Sequence, residues 1–241
     1  MDYNRSRDLF GDYFDSIYKA SNVFTKEQYI KNSAAFDSIY GKFLPSDKNS
    51  VILDIGSGTG QFISFLKDKG YTNLKGIDLS PSQVEYCKAN VFQNVEVADG
   101  LDYLAGKENT FDIITANDVV EHLPKEKIIP FLRLVYAALK PGGSFLSKVP
   151  NMGNPFALTI RYKDFTHEVG FTDMSYYQVL YLSGFRDIEL NQSLSFLTLK
   201  DKLLMKPFLK LVYFIMMKLY WYQGFVAPTI MSPLIVAGAK K

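Results

Sequence analysis

The stretch VILDIGSGTG, residues 51–60, constrains the fold more than any other part of this chain. Four apolar residues surround a single acid, Asp54, which is the pattern of a strand buried in a parallel sheet. Three glycines then alternate with Ser57 and Thr59, so the backbone there must approach something closely. The apolar residues 61–69 can form a helix whose N-terminus faces the same point. A glycine-rich turn between strand and helix is how doubly wound α/β folds hold nucleotide-like ligands.

Strands and helices alternate from residue 51 onwards, and this alternation predicts right-handed βαβ crossovers and a parallel sheet. We expect strands at 51–56, 74–80, 94–100, 111–120, 144–150, 185–192 and 232–240, and helices at 61–69, 81–90, 125–139 and 175–183. Residues 140–143 should form a turn and residues 151–172 a loop. The predicted fold class is α/β, a Rossmann-like doubly wound sheet, mostly parallel, with a C-terminal antiparallel strand near the sheet edge.

The length of 241 residues suits one α/β domain with additions at both ends. Within this single domain we expect an N-terminal helical cap over 1–48, a Rossmann-like core over 49–195, a helical insertion over 196–231 and a final strand over 232–241. Apolar residues make up 47% of the chain and charged residues 22%, so a sizeable core can form and extensive disorder is excluded.

Net charge and cysteine content indicate the binding partners and the cellular compartment to expect for this chain. The net charge of +2 is too small to indicate a nucleic-acid binder, so we expect no nucleic-acid partner. Cys87 is the single cysteine, which excludes an internal disulfide and suits a reducing compartment. The N-terminal residues lack the apolar segment of a secretory signal. These features predict a cytoplasmic protein.

The glycine spacing distinguishes two classes of cofactor. The dinucleotide fingerprint is G-x-G-x-x-G, whereas Gly56, Gly58 and Gly60 form G-x-G-x-G, with Gln61 at the position of the third glycine. With Asp54 they match D-x-G-x-G-x-G position by position, and there the chain resembles class I S-adenosylmethionine-dependent methyltransferases. The resemblance implies S-adenosylmethionine as methyl donor and S-adenosylhomocysteine as product. An NAD-dependent oxidoreductase and a non-catalytic, cofactor-binding relative are the alternatives.

Polar residues at successive strand ends extend this resemblance, which covers about residues 50–190. An acid at the end of the second strand, Asp78, can accept both hydroxyls of a ribose, although it could also cap the following turn. The resemblance implies that Leu79 lies against the adenine, that Asp99 and Gly100 bind it, and that Asn117 lies beside the methionine portion. The predicted cofactor ligands are Asp54, Gly56, Ser57, Gly58, Gly60, Asp78, Leu79, Asp99, Gly100 and Asn117. An ordinary turn acid is the other interpretation of Asp99.

The segment NDVVEHLP, residues 117–124, resembles the branch that includes ubiquinone-biosynthesis O-methyltransferases. Glu121 and His122 fall where the fourth strand gives way to a loop, near the methyl donor. Three roles are open for them. The pair could fix the loop by hydrogen bonds, His122 could orient or deprotonate the substrate, or Glu121 and His122 could hold a divalent metal with Asp118. The sequence alone assigns no metal ligand.

A second cluster, RYKDFTHEVGFT, occupies residues 161–172. Its D-x-T-H-x-x-x-F-T pattern resembles methyltransferases of bacterial surface-polysaccharide and lipopolysaccharide pathways, in which this loop closes over the substrate. His167 is a candidate general base, although it could equally tie the loop to the sheet. Arg161, Tyr162 and Asp164 are candidate substrate residues, and Arg161 or Lys163 could hold a phosphate or carboxylate.

Residues 202–223 are strongly apolar, but lysines and Pro207 interrupt them, so they cannot span a membrane. They could pack on their own domain, pack on a second copy in a homodimer, or rest on an anionic membrane surface. We therefore predict an S-adenosylmethionine-dependent methyltransferase of the EC 2.1.1 type. It would methylate a hydroxyl of a small molecule or lipid-linked glycan, in the cytoplasm or peripherally at the inner membrane surface, with His122 and His167 serving the substrate.

Overall fold

The computed structural model describes residues 26–193 and 199–241, without side-chain detail for residues 26–28 and 199–206. The helices predicted before residue 26 lie outside the described residues. The helices are α1 (Lys26–Tyr40), α2 (Gln61–Asp68), α3 (Pro81–Asn90), α4 (Gly100–Leu104), α5 (Lys125–Ala138), α6 (Ala157–Lys163), α7 (Asp173–Leu182) and α8 (Leu199–Tyr222). The strands are β1 (Ile52–Ile55), β2 (Leu74–Asp78), β3 (Val95–Val97), β4 (Phe111–Asn117), β5 (Leu139–Pro150), β6 (Arg186–Gln192) and β7 (Leu234–Lys240). Gly41–Phe43 and Val120–His122 are single 3₁₀ turns.

The seven strands form one sheet in the order β3-β2-β1-β4-β5-β7-β6. Strands β1 to β5 are parallel, and β7 is antiparallel to both of its neighbours. The predicted Rossmann-like, mostly parallel sheet is therefore confirmed. The chain leaves β1 in one direction towards β2 and returns on the other side at β4, and such a reversal marks the ligand crevice of open α/β sheets.

Strand β7 was expected to be antiparallel and near the sheet edge, which is confirmed: it lies between β5 and the edge strand β6. Five of its seven residues are buried, whereas most residues of β6 are exposed or half-buried. A uniformly apolar strand is stable where both faces and both edges are covered, and a polar strand tolerates the edge. The composition of the two strands thus explains why β6, and not β7, forms the edge.

Three local predictions were wrong. Strand β3 ends at Val97, because the Asp99 carboxylate accepts a hydrogen bond from the backbone N–H of Leu101 (2.8 Å) and so begins α4. Helix α6 lies within the predicted loop 151–172, where the Asn154 side chain accepts a hydrogen bond from the N–H of Phe156 (2.8 Å). The predicted turn at 140–143 lies inside β5, where the register with β4 shifts.

Apolar side chains pack on both faces of the sheet, so helices cover each side. One layer includes Phe131 of α5 and Tyr176 of α7. The other includes Tyr40 of α1 and Phe62 and Phe65 of α2. Helix α1 therefore belongs to the domain core.

Asp173 joins the start of α7 to the chain that leads into β7. Its Oδ2 accepts hydrogen bonds from the N–H and hydroxyl of Thr229 (2.7 and 2.5 Å) and from the N–H of Ile230 (3.2 Å), and its Oδ1 accepts one from Met174 (2.9 Å). Although burial raises the pKa of Asp173, these hydrogen bonds hold it below its ordinary value. The carboxylate thus stabilises the fold in its ionised form.

We expect Asp173→Ala to lower the free energy of unfolding by about 2–4 kcal/mol at neutral pH, because several N–H groups lose their charged acceptor. The folded pKa lies below the unfolded value of about 3.9, so this stabilisation is present above that pH and disappears as the pH falls through the folded pKa. Urea unfolding of both proteins should therefore give a smaller difference near pH 3 than at pH 7. The exposed acid variant Glu108→Ala is the control. Equal stability of wild type and Asp173→Ala at pH 7 would contradict this account.

Candidate functional site

The loop between β1 and α2 has a left-handed backbone at its three glycines. The φ angles are +68° at Gly56, +54° at Gly58 and +84° at Gly60. A Cβ atom at Gly56 would lie 2.3 Å from Cγ2 of Val119, and one at Gly60 would lie 2.5 Å from Sγ of Cys87. Both the backbone angle and the available space therefore require glycine at these two positions. The loop consequently packs between α3 and the segment that follows β4.

Asp78, the last residue of β2, binds this loop. Its Oδ2 accepts a hydrogen bond from the N–H of Gly58, and its Oδ1 accepts one from the N–H of Ser80, both at 2.8 Å. Burial raises the pKa of Asp78, although backbone N–H groups lower it. A carboxylate has about four lone-pair sites, so each oxygen can accept a further hydrogen bond from a ligand. The turn-capping role is therefore present, and it leaves room for a ligand hydroxyl.

Asp54 lies beneath the loop and is 2% exposed. Its Oδ1 accepts a hydrogen bond from the hydroxyl of Thr115 in β4 (2.5 Å). Burial raises the pKa of Asp54 to about 7, the Thr115 hydrogen bond opposes that rise, and the charge of Asp78 adds to it. Asp54 therefore titrates near neutral pH directly below the crevice.

Two buried polar groups at the crevice have no hydrogen-bond partner among residues 26–193 and 199–241, the Oγ of Ser57 and the Nδ2 of Asn117. The Oδ1 of Asn117 accepts a hydrogen bond from the hydroxyl of Tyr40, at the end of α1. Unpaired buried donors are costly, so they indicate a place where a polar ligand completes the site. Sequence reasoning did not identify Tyr40 as a site residue.

Asp99 and Gly100 lie at the start of α4. Asp99 is buried and caps this helix, which is the turn role considered for it from sequence. A Cβ atom at Gly100 would lie 3.0 Å from the ring of Phe131 and 3.2 Å from Ile55, so α4 begins in close contact with the core. Leu79 is half-buried after β2. The adenine-binding roles of these three residues stay predictions.

The segment after β4 brings Glu121 and His122 beside His167. One ligand atom from each residue lies within 4.8 Å of the others, and the two imidazole centroids are 4.8 Å apart. Glu121 is 1% exposed, and neither of its carboxylate oxygens has a hydrogen-bond partner in the described part of the chain. Burial and the charge of Asp118 raise the pKa of Glu121 well above its ordinary value. Burial and the neighbouring His167 lower the pKa of His122.

Hydrogen bonds fix the tautomer of His122. Its Nδ1 lies 3.2 Å from the carbonyl oxygen and 2.9 Å from the hydroxyl of Thr166. A carbonyl oxygen only accepts, so the Nδ1 of neutral His122 carries the proton and its Nε2 carries the lone pair. The Thr166 hydroxyl in turn donates to Oδ1 of Asp164 (2.6 Å). Asp164, a predicted substrate residue, therefore acts on His122 through Thr166.

The other predicted substrate residues differ in position. Arg161 donates from Nη1 to the carbonyl of His167 (2.5 Å) and from Nη2 to that of Glu168 (3.1 Å), so its guanidinium binds its own loop. Tyr162 is 74% exposed. Asp118, considered from sequence as a metal ligand, is exposed and pairs with Lys148 (2.7 Å). The cluster thus contains His167 in place of Asp118.

The methyltransferase domain family matches residues 29–189 of the chain. A phosphoethanolamine N-methyltransferase from Plasmodium falciparum is 31% identical over 103 residues, which are 42% of this chain and 39% of that protein. A ubiquinone biosynthesis O-methyltransferase from Idiomarina loihiensis is 25% identical over 143 residues, 57% of this chain and 53% of that protein. The chain therefore spans about half of these relatives or less.

A crystal structure of a SAM-dependent methyltransferase from Archaeoglobus fulgidus has the same fold, with a TM-score of 0.64, 22% identity and full coverage of both chains. An 18S rRNA (guanine(1575)-N(7))-methyltransferase from Saccharomyces cerevisiae is also similar, 29% identical over 112 residues, 41% of this chain and 40% of that protein. The names of these relatives include N- and O-methylation and one RNA acceptor. They do not support the expectation, drawn from net charge, that nucleic acid is excluded.

We expect Asp54→Asn to flatten the pH dependence of stability between about pH 4 and pH 7. As the pH rises through this window the unfolded chain loses the Asp54 proton while the folded protein keeps it, so the wild type loses stability, on the order of a few kcal/mol. Asparagine still accepts from Thr115 but does not titrate. Guanidinium unfolding across this pH range is the measurement.

The control for this prediction is Asp112→Asn. Burial raises the pKa of the Asp112 carboxyl, but the ion pair with Lys140 outweighs burial and holds this pKa below its ordinary value. That variant should lose stability above pH 4 instead. Parallel pH profiles for wild type and Asp54→Asn would contradict the prediction.

Proposed function

The chain belongs to the S-adenosylmethionine-dependent methyltransferase family, and on this premise we propose that it methylates a hydroxyl group of a small molecule or a lipid-linked glycan. S-adenosylmethionine is the methyl donor. The observation that carries the hydroxyl proposal is the pair of imidazoles, His122 from the segment after β4 and His167 from the loop after α6, whose ring centroids are 4.8 Å apart. A hydroxyl has to lose its proton during methyl transfer, and neutral imidazole is the side chain best suited to assist at neutral pH.

The residues at the crevice fit this donor. The remaining lone pairs of Asp78 suit the two ribose hydroxyls, and the unpaired Nδ2 of Asn117 and Oγ of Ser57 suit the methionine portion. We propose that Leu79 and Asp99 bind the adenine, with the N–H of Gly100 as a further donor. The predicted NAD-dependent alternative shares Asp78, but the family match favours the methyl donor.

When bound, S-adenosylmethionine would supply a methyl carbon on a positively charged sulfur, so that the acceptor oxygen could form the O–C bond and lose its proton while the C–S electrons go to sulfur. Val119 packs against Gly56, so the glycine loop and the segment carrying His122 have a fixed relation. Asp164 and Thr166 hold the His122 ring in one orientation through its Nδ1. The chain's own contribution is therefore to position the acceptor and assist loss of its proton, and positioning alone can provide much of the acceleration.

Exposed apolar surface supports a lipid-linked acceptor. On and beside α6, Phe156, Leu158, Tyr162 and Phe165 are each at least 74% exposed. On α8, Phe208, Leu211, Phe214, Ile215, Met217, Leu219, Trp221 and Tyr222 are each at least half exposed. We name these two sets together the apolar rim. Large exposed apolar patches mark interaction surfaces.

The two parts of the apolar rim are joined near Met231. The Asn154 side chain, which precedes α6, donates to the carbonyl of Met231 (2.6 Å), and the hydroxyl of Tyr213 in α8 donates to the same oxygen (3.4 Å). Lys210 and Lys218 lie on the exposed side of α8 and suit anionic headgroups. Over the described helices, none combines the length and the hydropathy needed to cross a bilayer. We propose that the apolar rim rests on the membrane surface and receives the lipid part of the acceptor.

We expect wild-type protein to bind S-adenosylmethionine in isothermal titration calorimetry. The affinity of Asp78→Ala should be at least about 100-fold lower, because two charge-assisted hydrogen bonds are lost. Asp78→Asn, which keeps one acceptor oxygen, tests whether weak binding reflects misfolding, and circular dichroism checks both variants. Asp102→Asn, at an exposed acid of α4, is the matched control and should bind normally. NAD should give no thermal shift. Absence of binding by the wild type, or unchanged binding by Asp78→Ala, would refute the donor site.

We expect the wild type to co-sediment with vesicles that contain phosphatidylglycerol and to bind neutral phosphatidylcholine vesicles less. The affinity of the double variant Leu211→Glu, Ile215→Glu for these vesicles should be at least about tenfold lower, because two apolar side chains that insert into the membrane become charged. Met174→Glu, Leu182→Glu changes two exposed apolar residues of α7 and is the matched control. Equal vesicle binding by all three proteins would contradict the membrane proposal. A wild type of twice the chain mass in light scattering that the α8 variant converts to a monomer would assign this face to a homodimer instead.

A further inference from the structure

The cluster of Glu121, His122 and His167 contains three buried polar atoms without hydrogen-bond partners in the described residues. These are both carboxylate oxygens of Glu121 and the Nδ1 of His167. A carboxylate that is 1% exposed and accepts no hydrogen bond is strongly disfavoured, unless a ligand occupies its oxygens. Glu121 and His167 belong, with His122, to a group in which one ligand atom from each residue lies within 4.8 Å of the others, so one bound ion could satisfy them together.

We propose that Glu121, His122 and His167 bind a divalent transition-metal ion of the zinc type. Two imidazoles and one carboxylate are a donor set that Zn²⁺ and Fe²⁺ sites use, whereas Mg²⁺ and Ca²⁺ sites use oxygen ligands. Three protein ligands leave a coordination position open, as catalytic zinc sites do. The role of the ion in catalysis rests on the proposed function. Ion binding itself does not, because it requires neither the methyl donor nor the methyl acceptor.

The hydrogen bonds around His122 match those of a metal-bound histidine. Such a histidine almost always donates its other ring N–H to a backbone carbonyl or a carboxylate, which fixes the ring and its tautomer. Here Nδ1 of His122 donates to the carbonyl of Thr166, and Thr166 is held by Asp164. The Nε2 lone pair of His122 is therefore oriented by groups that are already in place.

The backbone also holds the two parts of the cluster together. The carbonyl of Glu121 accepts hydrogen bonds from the N–H groups of Glu168 (2.8 Å) and Val169 (3.0 Å), next to His167. Ligand atoms of a tetrahedral zinc site lie ~3.3 Å apart, given Zn–N bonds of about 2.0–2.1 Å. The ligand atoms of the cluster lie within 4.8 Å of one another, so they must approach by up to about 1.5 Å, which rotations of the side chains can supply.

An ion at this position would deepen the proposed function. Glu121, His122 and His167 would hold the ion, which would supply a Lewis acid that helps the acceptor hydroxyl lose its proton to solvent, so the two histidines would assist the acceptor through the ion.

The test is metal binding by untagged, chelator-stripped full-length protein, measured by Co²⁺ absorption and by Zn²⁺ titration calorimetry without S-adenosylmethionine. The chain has two histidines, both in this cluster, and its one cysteine is buried, so background binding should be small. We expect one ion per chain, a higher Tm with Zn²⁺, and affinity at least about 100-fold lower in Glu121→Gln and His167→Asn. Both variants should keep the wild-type circular dichroism.

Asp118→Asn is the matched control, because Asp118 is the adjacent acid that pairs with Lys148. It should bind the ion within about threefold of wild type. The proposal is overturned by a wild type that binds no ion, by Glu121→Gln and His167→Asn binding as tightly as wild type, or by Asp118→Asn losing as much affinity as Glu121→Gln. Donor binding is measured separately in the Asp78 variants, so either proposal can fail while the other stands.

Discussion

The carboxylate of Asp78 is the contact on which the site depends, because it joins the end of β2 to the glycine loop after β1 through the N–H of Gly58. That contact holds the loop in its left-handed conformation, and the loop then accommodates Val119 against Gly56. Val119 lies three residues before His122. The hydrogen bond between Asp78 and Gly58, at the carboxyl ends of the strands, therefore links the proposed methyl-donor site to the histidine cluster that would serve the acceptor.

Acidic residues concentrate at this same edge. Asp54 lies one residue before the end of β1, Asp78 ends β2 and Glu121 follows β4, and burial raises the pKa of all three. Perturbed carboxyl groups of this kind cluster at functional sites, where a ligand compensates for the cost of burying them. A donor with a positively charged sulfur, and a cation at Glu121, would both relieve this electrostatic cost. The apolar rim has the opposite character and suits the uncharged part of an acceptor.

The sequence pattern predicted correctly those features that depend on residues close together in the chain. The glycines, Asp54 and Asp78 belong to one strand–turn–helix unit and its neighbour, and the structure has them where the pattern indicated. Contacts between distant segments were missed. Tyr40 reaches Asn117 across 77 residues, and Thr166 reaches His122 across 44, so no spacing rule connects them. The metal alternative used Asp118 because it is adjacent in sequence, whereas His167 is adjacent in space. The helix at Gly100 was missed because a turn acid and a helix cap look alike in sequence.

The central claim is that this methyltransferase modifies a hydroxyl, and the chemical form of the transferred methyl group tests it most directly. The protein would be incubated with methyl-labelled S-adenosylmethionine and fractionated cell extract, glycolipids included, and the labelled product analysed by mass spectrometry. We expect label in the small-molecule or glycolipid fraction, attached to oxygen. Label on an amine, on RNA or on protein, or no labelled product in any fraction, would contradict it.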